Sequence, residues 1–262
     1  MGMPPIQPFP FGESSPLATA FTWTGTPGLT NEQQVALNVG AILNCTNGFA
    51  CDTLDTGEAV VDAQRRMSDW WGIDDAISAR IAVGGLLDGM HSRGFEVVAP
   101  LVQDAIDSTD PLMIDNHREF LAARMTTSPL PVAGRIDDYN ALYNLRTMDI
   151  LRPVLRNENF PSHIRAWDLG RVAFVVRMSL RCGYLTDDEA WPMVIAALAA
   201  ARDYYANWRQ FAHGYLIGRA YWMAGYDLKK AGTSTSDVGA MINALLVRVD
   251  SPWRRLALAA DA

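Results

Sequence analysis

Cysteine is scarce in this chain: there are three, Cys45, Cys51 and Cys182, and no C-x-x-C pair. An odd, widely spaced set argues against a disulfide framework and against a thiolate metal site, and it fits a reducing cytoplasm. A Cys45–Cys51 bridge is the one pairing kept open. Histidine is as sparse, with His91, His117, His163 and His213 showing no H-E-x-x-H or other ligand spacing. Neither a G-x-S-x-G elbow nor a P-loop is present, so no catalytic motif, metal or cofactor is expected. Long apolar runs are missing too. No segment approaches roughly eighteen uninterrupted apolar residues, and the N-terminus has no basic stretch followed by an apolar one, so neither a membrane span nor a secretory signal is expected. Charged residues make up 19%, with 22 basic against 29 acidic and a net charge of −7, which disfavours a phosphate-tracking surface and hence nucleic acid as a partner. No run alternates polar and apolar residues with β-branched enrichment, which leaves an all-α fold.

What is present is enough to build a core: 49% of 262 residues are hydrophobic. Residues 1–29 are rich in Pro, Gly, Ser and Thr, with Phe9, Phe11, Phe21 and Trp23 at no helical period. They read as an irregular arm, part of which lies against the body. Residues 30–262 read as a single compact multi-helix domain, with a sub-boundary possible in the linker-like stretch 126–134. Capping signals place helix starts at Thr30 (with Gln33, to about Leu43), Asp55 (with Glu58, to Gly72), Asp74 (to His91 or Ser92, with Gly94 ending it) and Asp110-Pro111. Pro100 lies near the front of a further helix, and another runs from Asp137 or Asp138 towards Pro153.

The stretch from Ile164 to Tyr226 organises the rest. A helix from Ile164 to Arg181 stops at Gly183, and a second opens at Thr186 with Glu189 completing a capping box. Pro192 predicts a bend or a delayed start there. The third helix carries Trp208, Phe211, Tyr215, Gly218 and Trp222 at steps of three and four, a stripe expected in the core.

Trp167-Asp168-Leu169-Gly170-Arg171, Gly183-Tyr184-Leu185, Glu189-Ala190-Trp191, Tyr205, Trp208, Phe211, Tyr215, Gly218-Arg219 and Ser251-Pro252-Trp253-Arg254 resemble the bacterial domain-of-unknown-function family 1266. The segments from Leu29 to Leu43 and from Trp71 to Gly94 resemble its N-terminal helices. The resemblance implies a bacterial, cytoplasmic helical domain and brings no catalytic residues with it. Where many members have Ser-Trp before the third helix, this chain has Asn207-Trp208.

Weak constellations read as structural: Asp115 and His117 do not face each other on a helix, and Gly84-Gly85 through Gly89 sits inside a helical pattern rather than a phosphate loop. The unusual feature is an echo, Leu169-Gly170-Arg171 and Ile217-Gly218-Arg219. A glycine costs roughly 1 kcal/mol in a helix interior, so two in matching settings predict close approach of the two helices. Asp168 can bridge Arg171 or Arg219 at that crossing, as an ion-pair network holding the helices in register. The functional alternative is an arginine cleft for a carboxylate or phosphate, formed by Asp168, Arg171 and Arg219 with Tyr215 and Trp222 as walls. The favoured function is a noncatalytic protein-interaction module, an adaptor, chaperone-associated factor or toxin-neutralising partner, whose partner is another protein. The alternative is an enzyme or small-anion binder using that cleft.

Overall fold

In the computed structural model, residues 21–125, 133–147 and 161–259 are described, and among them every regular element is a helix, as expected for an all-α chain. In chain order these are α1 (Asn31–Val39), α2 (Ala41–Thr46), α3 (Val60–Trp71), α4 (Ala76–Leu87), α5 (Ser92–Asp107) and α6 (Met113–Met125). Then follow α7 (Ala133–Thr147), α8 (Arg165–Arg181), α9 (Asp187–Tyr204), α10 (Trp208–Ala224), α11 (Leu228–Val247) and α12 (Pro252–Arg255). None of the described helices is long and apolar enough to cross a membrane.

The axis of the assembly is α8, buried from Arg165 to Ser179. It packs against α4, α9 and α10, and also touches α1, α2, α3 and α5. A helix enclosed on all sides would ordinarily be apolar throughout, yet α8 carries Arg165, Asp168, Arg171 and Arg177 inside the core. Each therefore requires a specified partner. Arg177 donates to the carbonyls of Ala50 (2.9 Å), Leu54 (3.3 Å) and Asp55 (3.3 Å). Arg181, at the end of the helix, donates to the Glu58 carbonyl, and Arg165 to that of Leu87. In this way α8 holds the loop before α3 and the end of α4 by their backbones.

Glycines set the closest approaches. A Cβ on Gly170 would stand 2.6 Å from the Tyr215 ring of α10, and one on Gly218 would be 3.0 Å from Trp167 Cγ and closer still to its Cβ. Helices α8 and α10 thus pack directly through both glycines, as the repeated Gly-Arg step predicts. Of the aromatic stripe, Trp208, Phe211 and Tyr215 are buried, whereas Trp222 is half-buried at the rim. Trp208 stacks on Trp253 at 5.0 Å and 3°. The Trp253 indole donates to Asn38 O (2.8 Å) and Asn38 Nδ2 to Pro252 O (3.0 Å), which ties α12 to α1.

Thr30–Gln33 and Thr186–Glu189 form capping boxes, and Gly183 ends the turn after α8 at φ +79°. Several boundaries differ from expectation. The helix from Thr30 divides at Gly40, where a Cβ would come within 2.6 Å of Ala173 on α8. Asp55 does not cap α3: it accepts from Gly57 N (3.0 Å), Glu58 pairs with Arg66 (2.9 Å), and α3 begins at Val60. Asp75, with Ser78, caps α4 in place of Asp74. The break after α4 falls at Gly89 (φ +78°), so Gly94 and Pro100 both lie inside α5. Asp110 accepts from Leu112 N (2.8 Å) and α6 starts at Met113. Pro192 sits inside α9, which runs unbroken from Asp187. The start of α7 is at Ala133, within the expected linker, and Pro153 lies outside the described residues. Of the arm, residues 1–20 lie outside the described residues; Phe21 is buried and the Arg255 guanidinium carbon stands 3.7 Å from the Trp23 ring centroid.

Candidate functional site

Asp168 sits one turn into α8 with no exposed surface. Its Oδ2 accepts from Ser92 N (2.9 Å), Ser92 Oγ (2.8 Å) and His91 N (3.3 Å), so it caps α5 from another helix. Its Oδ1 lies 2.9 Å from Arg171 Nη2 and 2.8 Å from His91 Nδ1. Arg171 Nη2 is also 2.6 Å from His91 Nδ1, and Arg171 Nε donates to Trp167 O (3.0 Å). Burial pushes the Asp168 carboxyl up, but the hydrogen bond from His91, the Arg171 charge and the Ser92 hydroxyl together hold it below the ordinary range.

Around this pair aromatic rings lie against the guanidiniums. The Arg171 guanidinium carbon is 4.1 Å from the Trp167 ring centroid and 5.7 Å from that of Trp71. Arg219 turns away from Asp168. Its Nε donates to Ser234 Oγ on α11 (2.8 Å), and its guanidinium lies between Trp167 (5.5 Å) and Trp222 (5.2 Å). Tyr215 meets Trp167 edge-on at 5.1 Å, and burial pushes its hydroxyl up to about 12. Trp167, Tyr215 and Trp222 therefore form one aromatic layer between two arginines, with Trp222 5.7 Å from Trp167.

The five residues singled out from the sequence thus fall in one neighbourhood, divided in two: Asp168, Arg171 and Tyr215 inside, Arg219 and Trp222 at its half-buried rim. His91, Ser92, Arg165 and Trp167 complete it and were not foreseen. The Gly89-Met90-His91-Ser92 step could have marked a helix start, but nothing local connects it to a carboxylate 76 residues on. Chemically Asp168 and Arg171, with His91 against both, form a charge-neutralising clamp. Ser92 Oγ donates to Asp168 rather than facing the imidazole, so the geometry is not that of a nucleophile activated by His91. His117 instead meets Tyr139 Oη (3.0 Å) while Asp115 pairs with Arg118 (3.5 Å). Among the described residues no group of three or more His, Cys, Asp or Glu side chains could hold a metal ion.

Among the described residues the body is all-helical and is built on the helix that carries Trp167-Asp168-Leu169-Gly170-Arg171. The chain belongs to the family described as "Protein of unknown function (DUF1266)", whose profile matches residues 66–258, from α3 through α12. It is similar to two Escherichia coli (strain K12) proteins. The one described as "Uncharacterized protein YbeR" is 42% identical over 65 residues, 24% of this chain and 27% of that protein. The one described as "Uncharacterized protein YbeU" is 31% identical over 61 residues, 23% of this chain and 26% of that protein. The matched stretch thus spans about a quarter of each relative's length. No solved structure matches the chain.

Proposed function

We propose that this chain is a noncatalytic bacterial protein-interaction module that works in the cytoplasm as an adaptor, a chaperone-associated factor or a toxin-neutralising partner, and that the outer face of α4 is its contact surface. The observation that carries this reading is a helix with two apolar faces. Ala79, Val83 and Leu86 are buried, while on the opposite side Ile77 and Ile81, one turn apart, are 67% and 69% exposed. Gly84 continues that outer stripe, and a Cβ built on it would have nothing within 4 Å. A helix apolar on both sides is normally covered on both, and covering an exposed isoleucine gains roughly 1.5–3 kcal/mol. The net charge of −7 and three free thiols are consistent with a protein partner in a reducing compartment.

The test is affinity purification from the native host with the parent and an Ile77→Asp/Ile81→Asp double variant. One reproducible partner, lost in the variant while thermal stability is kept, is the expected result. A partner retained by the variant would move the contact surface elsewhere, and absence of any partner after crosslinking would overturn the reading. The alternative, a small-anion site or enzyme cleft at Asp168, Arg171, Tyr215, Arg219 and Trp222, has less geometric support. Asp168 and Arg171 already have partners within the chain, and only Arg219 and Trp222 keep appreciable surface. Calorimetric titration with phosphate and with citrate, parent against Arg219→Met, tests it.

A further inference from the structure

The Sγ atoms of Cys45 and Cys51 are 3.7 Å apart, and both residues are buried but for 9% and 8% of their surface. Each sulfur is held from its own side. Cys45 is in the last turn of α2, and Cys51 is on a loop whose N–H donates to Thr22 O (2.8 Å). The next residue, Asp52, accepts from Thr24 N (2.8 Å) and Gly25 N (2.7 Å). Next to the pair lies Arg177, 1% exposed, with its guanidinium 5.4 Å from the Phe49 ring centroid. Burial draws the Arg177 pKa down to about 10, so it is a cation at neutral pH. Among the described residues its hydrogen-bond partners are carbonyls, and no carboxylate oxygen lies within 4.0 Å of it. Asp55 and Asp52 act on it only through space, and a buried guanidinium with no directly paired carboxylate is still a local source of positive potential, which a neighbouring thiolate answers.

We infer that Cys45 and Cys51 are a redox-active dithiol that a hydroperoxide oxidises to an intramolecular disulfide, with Cys51 as the attacking sulfur and Cys45 as the resolving one. The assignment of roles follows from position. Cys45 lies at the carbonyl end of α2, where the helix dipole disfavours an anion. Cys51 lies within electrostatic reach of Arg177 and Arg255, against which Asp52 acts in the opposite direction. The hydrogen bond from Cys45 lowers the Cys51 thiol most, burial opposes it, and Arg177 adds to the lowering. That same bond, followed by burial, pushes Cys45 up. Cys182 has no such setting, and burial pushes its thiol up to about 11.

The chemistry balances without any group beyond the hydroperoxide. The Cys51 thiolate attacks the distal peroxide oxygen, the O–O bond breaks, and the alkoxide (hydroxide, when the oxidant is hydrogen peroxide) leaves and takes up a proton, giving a sulfenic acid on Cys51. The Cys45 sulfur then attacks Cys51 Sγ. The S–S bond forms as the S–O bond breaks, and the oxygen departs as water with the Cys45 proton. Two thiols lose two electrons in all, and one hydroperoxide becomes an alcohol and a water, or two waters in the case of hydrogen peroxide. Closure moves the sulfurs from 3.7 Å to about 2 Å. A dithiol reductant reverses it by exchange.

The test uses the folded full chain and equimolar hydrogen peroxide. Intact mass should fall by the two thiol hydrogens, peptide mapping should join Cys45 to Cys51, and dithiothreitol should restore the starting mass. With a small alkylating reagent, Cys51 should react at least about tenfold faster than Cys182. In Cys45→Ser, dimedone should label Cys51. Unchanged mass after peroxide, a bridge to Cys182 or between molecules, or oxidation seen only in denaturant would each overturn the inference. The parent protein decides the matter by itself if Cys45→Ser does not fold.

Discussion

Asp168 reaches across from α8 to cap α5 through Ser92, whose backbone N–H and hydroxyl both donate to the same carboxylate oxygen, at 2.9 and 2.8 Å. The other oxygen holds Arg171 at 2.9 Å. One side chain with no exposed surface thus completes a helix end and balances a nearly buried cation. Removing it should leave both uncompensated, and Asp168→Ala is expected to lose about 3–5 kcal/mol in chemical denaturation. Asp168→Asn, which can still accept at the cap but gives up the charge, should lose less. An Asp168→Ala protein as stable as the parent would contradict the clamp.

The glycines divide into two groups. Gly170→Ala sets a methyl 2.6 Å from the Tyr215 ring, and Gly218→Ala sets one against Trp167, so each should cost about 1–3 kcal/mol through overpacking. Gly84→Ala places its methyl in open space on a helix and should raise stability by up to about 1 kcal/mol. Melting temperatures of the three single variants, compared with the parent, check both directions in one experiment.

Trp208 and Trp222 share a helix face but not an environment. Trp208 is buried in a parallel stack with Trp253, and its truncation to alanine should cost about 3–5 kcal/mol. Trp222 is half-buried and covers Arg219, so Trp222→Ala should cost less, roughly 1–3 kcal/mol. Denaturant titrations that rank Trp222 above Trp208 would invert this picture.

Acid should weaken the fold through carboxylates that are held below their ordinary range. Glu189 is drawn from 4.5 down to about 2, first by the Thr186 N–H bond, then by the bonds from Arg80 and the Thr186 hydroxyl. A folded pKa below the unfolded one means that this contribution is full above about pH 4.5 and is lost as pH falls towards 2. Asp168 shifts in the same direction. Stability measured between about pH 5 and about pH 2 should therefore fall with acid, and the slope should flatten in Glu189→Gln.

Local chemistry was readable from the residues alone. Thr30 with Gln33, Thr186 with Glu189 and the turn at Gly183 act over four residues or fewer, and the paired Gly-Arg steps announced the crossing of α8 and α10. What could not be read depends on residues far apart in the chain. The reason for a glycine at position 40 is Ala173, the partners of Asp168 other than Arg171 sit 76 and 77 residues before it, and the partner of Arg219 is a serine on the following helix. The misplaced starts are of another kind. Asp55 and Asp110 have the residue types of a cap but accept from Gly57 N and Leu112 N in turns of their own, and the helices start later, at Val60 and Met113.

The carbonyls of Ala50, Leu54, Asp55 and Glu58 are held by guanidiniums at positions 177 and 181. During synthesis, the donors for this early loop emerge more than a hundred residues after the loop itself, on the order of ten seconds later. The loop carbonyls therefore lack these donors until α8 has left the ribosome. Fixing of residues 50–58 is thus expected to follow the emergence of α8, and a nascent chain arrested before residue 165 should remain open to protease across residues 50–58.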